Sequence, residues 1–198
     1  MSKVYRVYVE KRKEYAVEAL EVLTNLKTQL KINSLEGLSI VNRYDVQGVS
    51  NDALEEGISI ILSEPMVDDV VMEDYPSGDK KVFAVEYLPG QYDQRADACE
   101  QCFQLLTGEK NVKVKSAKLY VLEGNVSDEE VDKIKKYLIN PVDQRVASLE
   151  KVDDLFEDSP VIKPVPVIEG FTELDGQGLR DYLKNNGIHH INSFAGRH

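Results

Sequence analysis

The sequence predicts an α+β protein in which a β-α-β-α-β unit occurs twice in tandem, forming a pseudo-dimer, followed by a short linker segment. Three observations predict this fold. Strand-like alternation and helix-like apolar stripes follow one another along the chain. The segment that begins at Gly48 returns at Gly124, an offset of 76 residues (124 minus 48). After about residue 150 the composition changes, and prolines interrupt an apolar frame.

The repeat is carried by matched residues. At this offset six pairs agree: Gly48 with Gly124, Asp52 with Asp128, Ile58 with Ile134, Leu62 with Leu138, Pro65 with Pro141 and Val70 with Val146. The starts agree too, because KVYRV at Lys3 resembles KVFAV at Lys81 at a slightly different offset. Two such copies can pack face to face or join at their sheet edges, and either arrangement protects surface that one copy leaves open.

The first copy reads as five elements in order. Alternating valines and tyrosines predict an opening strand, and an apolar stripe over residues 16–30 predicts a helix. Leu38 to Val46 reads as the second strand. Ser50 or Asn51 can cap a second helix, which Pro65 ends, and VDDVVME then reads as the third strand.

The second copy repeats this plan. VFAVEYL is a predicted strand, and a helix follows from Asp93 to Leu106. We expect the buried face of that helix to carry Ala98, Cys102, Leu105 and Leu106. A strand spans Lys115 to Leu122. Ser127 followed by Glu130 has the spacing of a capping box and predicts a helix to about Ile139; Pro141 ends it, before a short extended segment.

These elements give four segments. The first repeat spans residues 1–76, the second repeat 79–150, a linker with one helix 151–188, and a disordered tail 189–198. VIKPVPVIEG disfavours a helix because of its prolines. An amphipathic stretch after it, which includes Leu179 and Tyr182, predicts a helix that stops at Asn186-Gly187.

Composition excludes several classes of function. The formal net charge is −11 and the pI is about 4.8, which argues against a nucleic-acid partner because phosphate binding needs a basic face. No apolar run reaches about 18 residues, and the start shows no signal peptide, so we expect no membrane partner. Two cysteines make no disulfide framework. We expect a cytoplasmic protein.

Two sets of potential ligands have ordinary alternatives. Cys99 and Cys102 form a C-x-x-C, which suits a redox pair or half of a metal site, but they fall within a predicted helix and no second pair exists. Packing in the core is the favoured interpretation. The three histidines, His189, His190 and His198, all lie in the tail, where a native metal site is not expected.

The loop LPGQYDQRAD is the strongest candidate site. It joins a strand to a helix and gathers Gln91, Asp93, Gln94 and Arg95. A helix N-terminus with an arginine can hold an anionic group. The alternative is that Asp93 caps the helix and Arg95 is a solvated residue of its first turn. The corresponding loop of the first copy has neither the Pro-Gly turn nor the glutamines, an asymmetry that favours a role for the second loop.

INPVDQR is a weaker candidate. It contains Asn140 and Arg145, and its counterpart SEPMVDD keeps the proline but not the arginine. A helix stop explains Pro141, which leaves Arg145 as a second candidate for an anion contact. No GxGxxG, Walker A or GxSxG motif occurs, and neither repeat contains a histidine. We therefore name no catalytic residue.

Five blocks of the sequence are similar to the N-terminal region of the single-chain phosphoribosylformylglycinamidine synthases. The blocks are KVYRVYVEKR, NRYDVQGVS, VFAVEYLPGQYDQRADACEQCFQLLTGE, KLYVLEG and YLINPVDQRVASLE. The similarity covers about residues 1–185 and is most specific in LPGQYDQRAD and INPVDQR. Each repeat also resembles the small accessory subunit of the split form of that enzyme, which dimerises.

The resemblance implies a role in an ATP-dependent amidoligase of purine biosynthesis. That enzyme converts formylglycinamide ribonucleotide, glutamine and ATP to the amidine, using a glutaminase domain and a synthetase domain. The N-terminal region bridges these two domains and helps to enclose the ammonia path and the substrate side. ATP and Mg²⁺ belong to the full enzyme, so no cofactor is expected in this chain.

The resemblance also implies that the chain is an inactive scaffold. The family continues after the linker helix into a synthetase domain, so we expect this chain to be a fragment without turnover of its own. Its partners would be the synthetase and glutaminase domains, and its contact residues Gln91, Asp93, Gln94, Arg95, Asn140 and Arg145. The alternative function is a free-standing module that binds a small-molecule regulator or serves for dimerisation.

Overall fold

The computed structural model describes residues 3–156, 171 and 174–185, and within them it contains six strands and five α-helices. The elements in order are β1 (Tyr5–Lys11), α1 (Val17–Gln29), β2 (Leu35–Gln47), α2 (Asn51–Gly57), which continues as a π-helical turn (Ile58–Leu62), β3 (Asp68–Met72), β4 (Lys81–Tyr87), α3 (Gln94–Thr107), β5 (Lys113–Gly124), α4 (Asp128–Leu138), β6 (Gln144–Ala147) and α5 (Gly176–Asn185). The predicted α+β class is confirmed.

Two compact units divide the chain, Met1–Pro160 and Val161–His198. All six strands belong to the first unit, and α5 belongs to the second, where the ring of Phe171 meets that of Tyr182 edge to face. The helix expected before Asn186 is therefore present. The tail predicted to be disordered, residues 189–198, lies outside the described residues.

One antiparallel sheet contains all the strands, in the order β3-β1-β2-β5-β4-β6. Its longest pairing joins β2 of the first half to β5 of the second, from Leu35 with Gly124 to Gln47 with Lys113. This pairing joins residues 3–76 and residues 79–150, here called the first half and the second half, strand to strand. The order on one side of this pairing mirrors the order on the other.

Strand pairs of the first half recur in the second half with both residues shifted by 76. Tyr5 pairs with Val46, and Lys81 pairs with Leu122 (81 minus 5, 122 minus 46). Lys11 pairs with Asp68, and Tyr87 pairs with Gln144 (87 minus 11, 144 minus 68). The first strands of the halves thus correspond at the general offset. Matching KVYRV with KVFAV, which places them 78 apart, was wrong by two residues.

The second helix of each half begins and ends differently. The N-caps Ser50 and Ser127 are 77 residues apart, whereas the C-caps Ser63 and Ile139 are 76 apart. The first half thus has one more residue between its caps, and the π-helical turn accommodates it, because such a turn holds more residues than an α-helical one. The predicted capping box of Ser127 and Glu130 is confirmed.

Two hydrophobic cores lie between the helices and one face of the sheet, and each takes a helix from the other half. Phe103 of α3 packs in a cluster with Val7, Val46 and Leu54 of the first half. Leu26 of α1 packs with Phe83, Leu122 and Ile134 of the second half. Both Phe103 and Leu26 are fully buried. The halves are thus interlocked by their helices as well as by the sheet.

The predicted buried face of α3 was largely wrong. Its buried residues are Ala96, Cys99 and Phe103, whereas Cys102 is exposed and Leu105 is 85% exposed. Apolar residues occur on both sides of this helix, and the side that becomes buried is the one that meets strands of the first half.

Loops cover the opposite face of the sheet. The segment after β6, residues 148–156, crosses strands of the first half and is here called the strap. Arg43 donates to the carbonyl of Ser148 at 2.7 Å, and Arg6 donates to the carbonyl of Leu149 at 2.7 Å. Gln47 accepts from the amide of Leu155 at 2.6 Å, and Leu155 is buried. Buried side chains of β1 and β2 therefore fix the path of the strap.

Candidate functional site

Helix α3 begins at Gln94, inside LPGQYDQRAD, and is capped by Asp93. One carboxylate oxygen of Asp93 accepts the amide of Ala96 at 3.0 Å, and the other accepts the hydroxyl of Ser116 on β5 at 2.7 Å. The capping role that the sequence offered for Asp93 is therefore present. The same carboxylate ties the start of α3 to the sheet, which fixes the positions of the residues that follow it.

Arg95 lies in the first turn of α3 and is exposed, as the alternative interpretation expected, but its side chain also has a hydrogen-bond partner. One of its guanidinium nitrogens donates to the hydroxyl of Tyr44 at 3.0 Å. Tyr44 lies in β2 and is buried, and burial raises the pKa of its hydroxyl. Arg95 thus connects α3 of the second half to a strand of the first half. This hydrogen bond uses a neutral partner, so the guanidinium keeps its positive charge without a carboxylate bound to it at this contact.

Arg145, the weaker candidate, is paired. Its guanidinium donates from two nitrogens to one oxygen of Glu86, at 2.6 and 2.7 Å. Both residues lie on the β4–β6 pair, where Glu86 is the direct partner of Arg145. About half of the Arg145 side chain is exposed, so the pair lies at the surface.

Asn140 forms part of a turn. Its side-chain oxygen accepts the backbone amide of Val142 at 3.2 Å, and its backbone amide donates to the side-chain oxygen of Gln144 at 3.3 Å. The first half has the same arrangement, since the amide of Glu64 donates to Asp68 at 2.7 Å. These are the local contacts that an asparagine makes in a turn, so a structural role explains Asn140.

LPGQYDQRAD and INPVDQR lie side by side, although 41 residues (98–138) separate them in sequence. The amide of Leu88 donates to the carbonyl of Asp143 at 2.8 Å, next to the pair of Glu86 with Arg145. Two neighbouring clefts open here, and they share Glu86, Tyr87, Asp93 and Ser116. We call them the Arg95 cleft and the Arg145 cleft after the arginine that lines each one.

The Arg95 cleft has a volume of about 540 Å³ and the Arg145 cleft one of about 450 Å³. Asp93, Gln94 and Arg95 line the first, while Gln91, Asp93 and Arg145 line the second. Five of the six predicted contact residues thus line this pair of clefts. Asn140 is not among the lining residues, but its backbone amide donates to Gln144, which lines the Arg95 cleft.

Strand β5 supplies cleft residues that were not predicted from the sequence. Lys113 and Lys115 line the Arg145 cleft, and Lys118 and Tyr120 line the Arg95 cleft. Burial raises the pKa of Tyr120 to about 12. The three lysines of KVKSAK are the sequence feature that could have indicated a basic site. Their proximity to the loop depends on the pairing of β4 with β5, which the sequence alone did not predict.

The first half has a corresponding pair of clefts, of about 500 and 380 Å³. Tyr44 and Asp68 line the larger one, and their counterparts at the 76-residue offset, Tyr120 and Gln144, line the Arg95 cleft. Arg95 itself lines both of these larger clefts. The two halves therefore share the shape of a cleft pair but differ in the residues around it.

Both cysteines lie in α3, but only one of them packs in the core. Cys99 is buried and Cys102 is exposed. Burial raises the pKa of the Cys99 thiol to about 11, which is opposite to the shift that activates a redox cysteine. Within residues 3–156, 171 and 174–185, no three His, Cys, Asp or Glu side chains are grouped so as to hold a metal ion.

In the same described part of the chain, no helix has both the length and the apolar character needed to cross a bilayer.

Comparison of the sequence with models of known protein families gave no match, and comparison with curated proteins gave no match either.

Proposed function

We propose that this chain is a scaffold that joins catalytic domains, as the N-terminal repeat region does in the phosphoribosylformylglycinamidine synthases. The observation that carries the proposal is the meeting of LPGQYDQRAD and INPVDQR. These are the two blocks most specific to that family, and they build the Arg95 and Arg145 clefts. The residues that the sequence predicts as a contact surface are thus neighbours in space.

The pseudo-dimer is the second part of the proposal. It is supported by the strand pairs that recur at 76 residues and by the mirrored strand order. Glycines at the same offset, Gly48 and Gly124, both have positive φ, and a Cβ on either would overlap a backbone carbonyl. In this proposal two copies of a dimerising unit have become one chain, whose second copy carries the contact surface.

Interlocked cores suit a scaffold. Each core includes a helix from the other half, so the sheet and its four helices cannot separate without exposing both cores. A surface on such a rigid unit keeps a constant geometry. A scaffold that positions a synthetase domain and a glutaminase domain needs such a surface. Amidation of formylglycinamide ribonucleotide would take place on those domains, with their ATP and Mg²⁺.

Binding to the catalytic domains tests the proposal. We expect the chain to co-purify with a synthetase–glutaminase protein of this family that lacks its own N-terminal region, and Arg95→Ala to weaken the association. Arg12→Ala is the matched control. Arg12 directly follows β1, as the LPGQYDQRAD loop directly follows β4, and it pairs there with Asp69. Absence of a complex, or equal weakening by both variants, would contradict the proposal.

A second candidate function is a free-standing regulatory module. The larger cleft of each half has a volume within the range of small-molecule sites, about 300 to 1,000 Å³. A thermal-shift screen with amino acids and nucleotides separates the two functions. A saturable shift by an amino acid, together with no binding to the catalytic domains, would favour the regulatory module.

A further inference from the structure

The charge around the two cleft pairs differs in sign. Five basic residues line the pair in the second half, against two acidic ones, Glu86 and Asp93. The basic residues are Arg95, Lys113, Lys115, Lys118 and Arg145. In the first half the corresponding pair has seven acidic residues and only three basic ones, of which one is Arg95 again.

This difference arises position by position. At the 76-residue offset, Lys113, Lys115 and Lys118 correspond to uncharged residues, and Arg145 corresponds to an aspartate. The counterparts are Gly37, Ser39, Asn42 and Asp69. Arg95 corresponds to Glu18, since the first helices of the halves start 77 residues apart (94 minus 17). All five basic residues are therefore particular to the second half of a chain whose net charge is −11.

We propose that the Arg95 and Arg145 clefts together bind a small molecule through a phosphate or carboxylate group. Arg95 is the central contact. Arg95 lies between the two larger clefts and lines both of them. Its hydrogen bond to the neutral hydroxyl of Tyr44, on the side of the first-half cleft, holds the guanidinium without neutralising it at this contact. A planar guanidinium held in this way can offer two parallel N–H groups to an oxyanion.

The other groups of the clefts complete the recognition. Lys118 is paired with Glu18 at 2.5 Å and Lys113 with Glu100 at 3.3 Å, and both lysines retain partly exposed side chains. Arg145 is paired as well, with Glu86. Because each of these three cations already has a carboxylate partner, Arg95 carries most of the interaction with an oxyanion. The combined clefts have room for more than a bare ion, so the oxyanion is the anchoring group of a larger molecule. This inference does not depend on the scaffold role.

Titration with simple anions tests the anion site. The probes are inorganic phosphate and acetate, added at constant ionic strength with chloride as the balancing anion, while NMR follows the arginine Nε–H signals of the full chain. We expect saturable shifts at Arg95 with a Kd on the order of 1 mM for one probe or both, and the stronger of the two identifies the anchoring group. Shifts that chloride reproduces, or that do not saturate, would overturn the proposal.

Two variants and a control make the test specific. We expect Arg95→Gln to weaken binding of the stronger probe about tenfold, the effect of losing a charged hydrogen bond, and Arg145→Gln to weaken it less. Arg12→Gln removes the same charge from the first half and should leave binding unchanged. Equal weakening by Arg12→Gln would mean that only net charge matters, and that result would refute the site. Unchanged backbone NMR shifts away from each substitution show that the variants are folded.

Discussion

The first half of the sheet contains a buried cluster of charges. Arg6 donates to both oxygens of Asp45, at 2.6 and 2.8 Å, and Arg43 lies beside them. Only 2% of Arg6 is exposed. Burial lowers the pKa of Arg6, but the hydrogen bond and charge of Asp45 outweigh it, and the pKa is raised overall. The two arginines also hold the carbonyls of the strap, so the cluster joins the sheet to the segment that follows β6.

Removing the charge of Asp45 should therefore destabilise the protein strongly. We expect Asp45→Asn to lower the free energy of unfolding by about 3 to 5 kcal/mol, because it leaves two buried guanidinium groups without their carboxylate. Urea denaturation measures the change. Asp69→Asn breaks the exposed pair with Arg12 and should cost less than about 1 kcal/mol. Similar losses in the two variants would show that the Asp45 cluster is not a buried one.

The two cysteines should differ in reactivity, since the thiolate is the reactive form. Cys99 is buried, with a pKa raised to about 11, whereas Cys102 is exposed. At pH 8 we expect iodoacetamide to modify Cys102 in the native protein and to leave Cys99 unmodified until the chain is unfolded. Peptide mass spectrometry gives the order. Faster modification of Cys99 would contradict the placement of α3.

At the scale of elements, local signals predicted the helix ends and non-local packing decided the buried faces. Ser127 and Glu130 are three residues apart and satisfy each other, so the start of α4 could be read directly. The buried side of α3 could not, because it is chosen by first-half strands that are distant in sequence. The same reason explains why the sequence showed the loop with Arg95 but not its partner Tyr44.

Helix α3 provides a direct test of its observed orientation. We expect Phe103→Ala to lower the free energy of unfolding by about 3 to 5 kcal/mol, since Phe103 is fully buried among residues of both halves. Leu105→Ala on the exposed side of the same helix should change it by less than about 0.5 kcal/mol. Chemical denaturation measures both. A larger effect of Leu105→Ala would restore the orientation expected from sequence.

In the first compact unit as a whole, the strand pairing recurs between the two halves, whereas the charged residues that line the clefts differ between them. Strand pairs, turns and clefts recur at 76 residues, and the sequence repeat could predict that recurrence. The interlocked helices, the strap and the basic clefts could not be predicted in the same way. They depend on which strand of one half lies beside which helix of the other, and on residues such as Lys115 and Lys118 that are ordinary in a strand pattern.

The most direct test of the scaffold role is the rate of glutamine- and ATP-dependent amidation of formylglycinamide ribonucleotide. It is measured for this chain alone, for a synthetase–glutaminase protein that lacks its N-terminal region, and for the two mixed. For a scaffold we expect no turnover by the chain alone and a rate in the mixture well above that of the truncated protein. Turnover by the chain alone, or a mixture no faster than the truncated protein, would contradict the scaffold role.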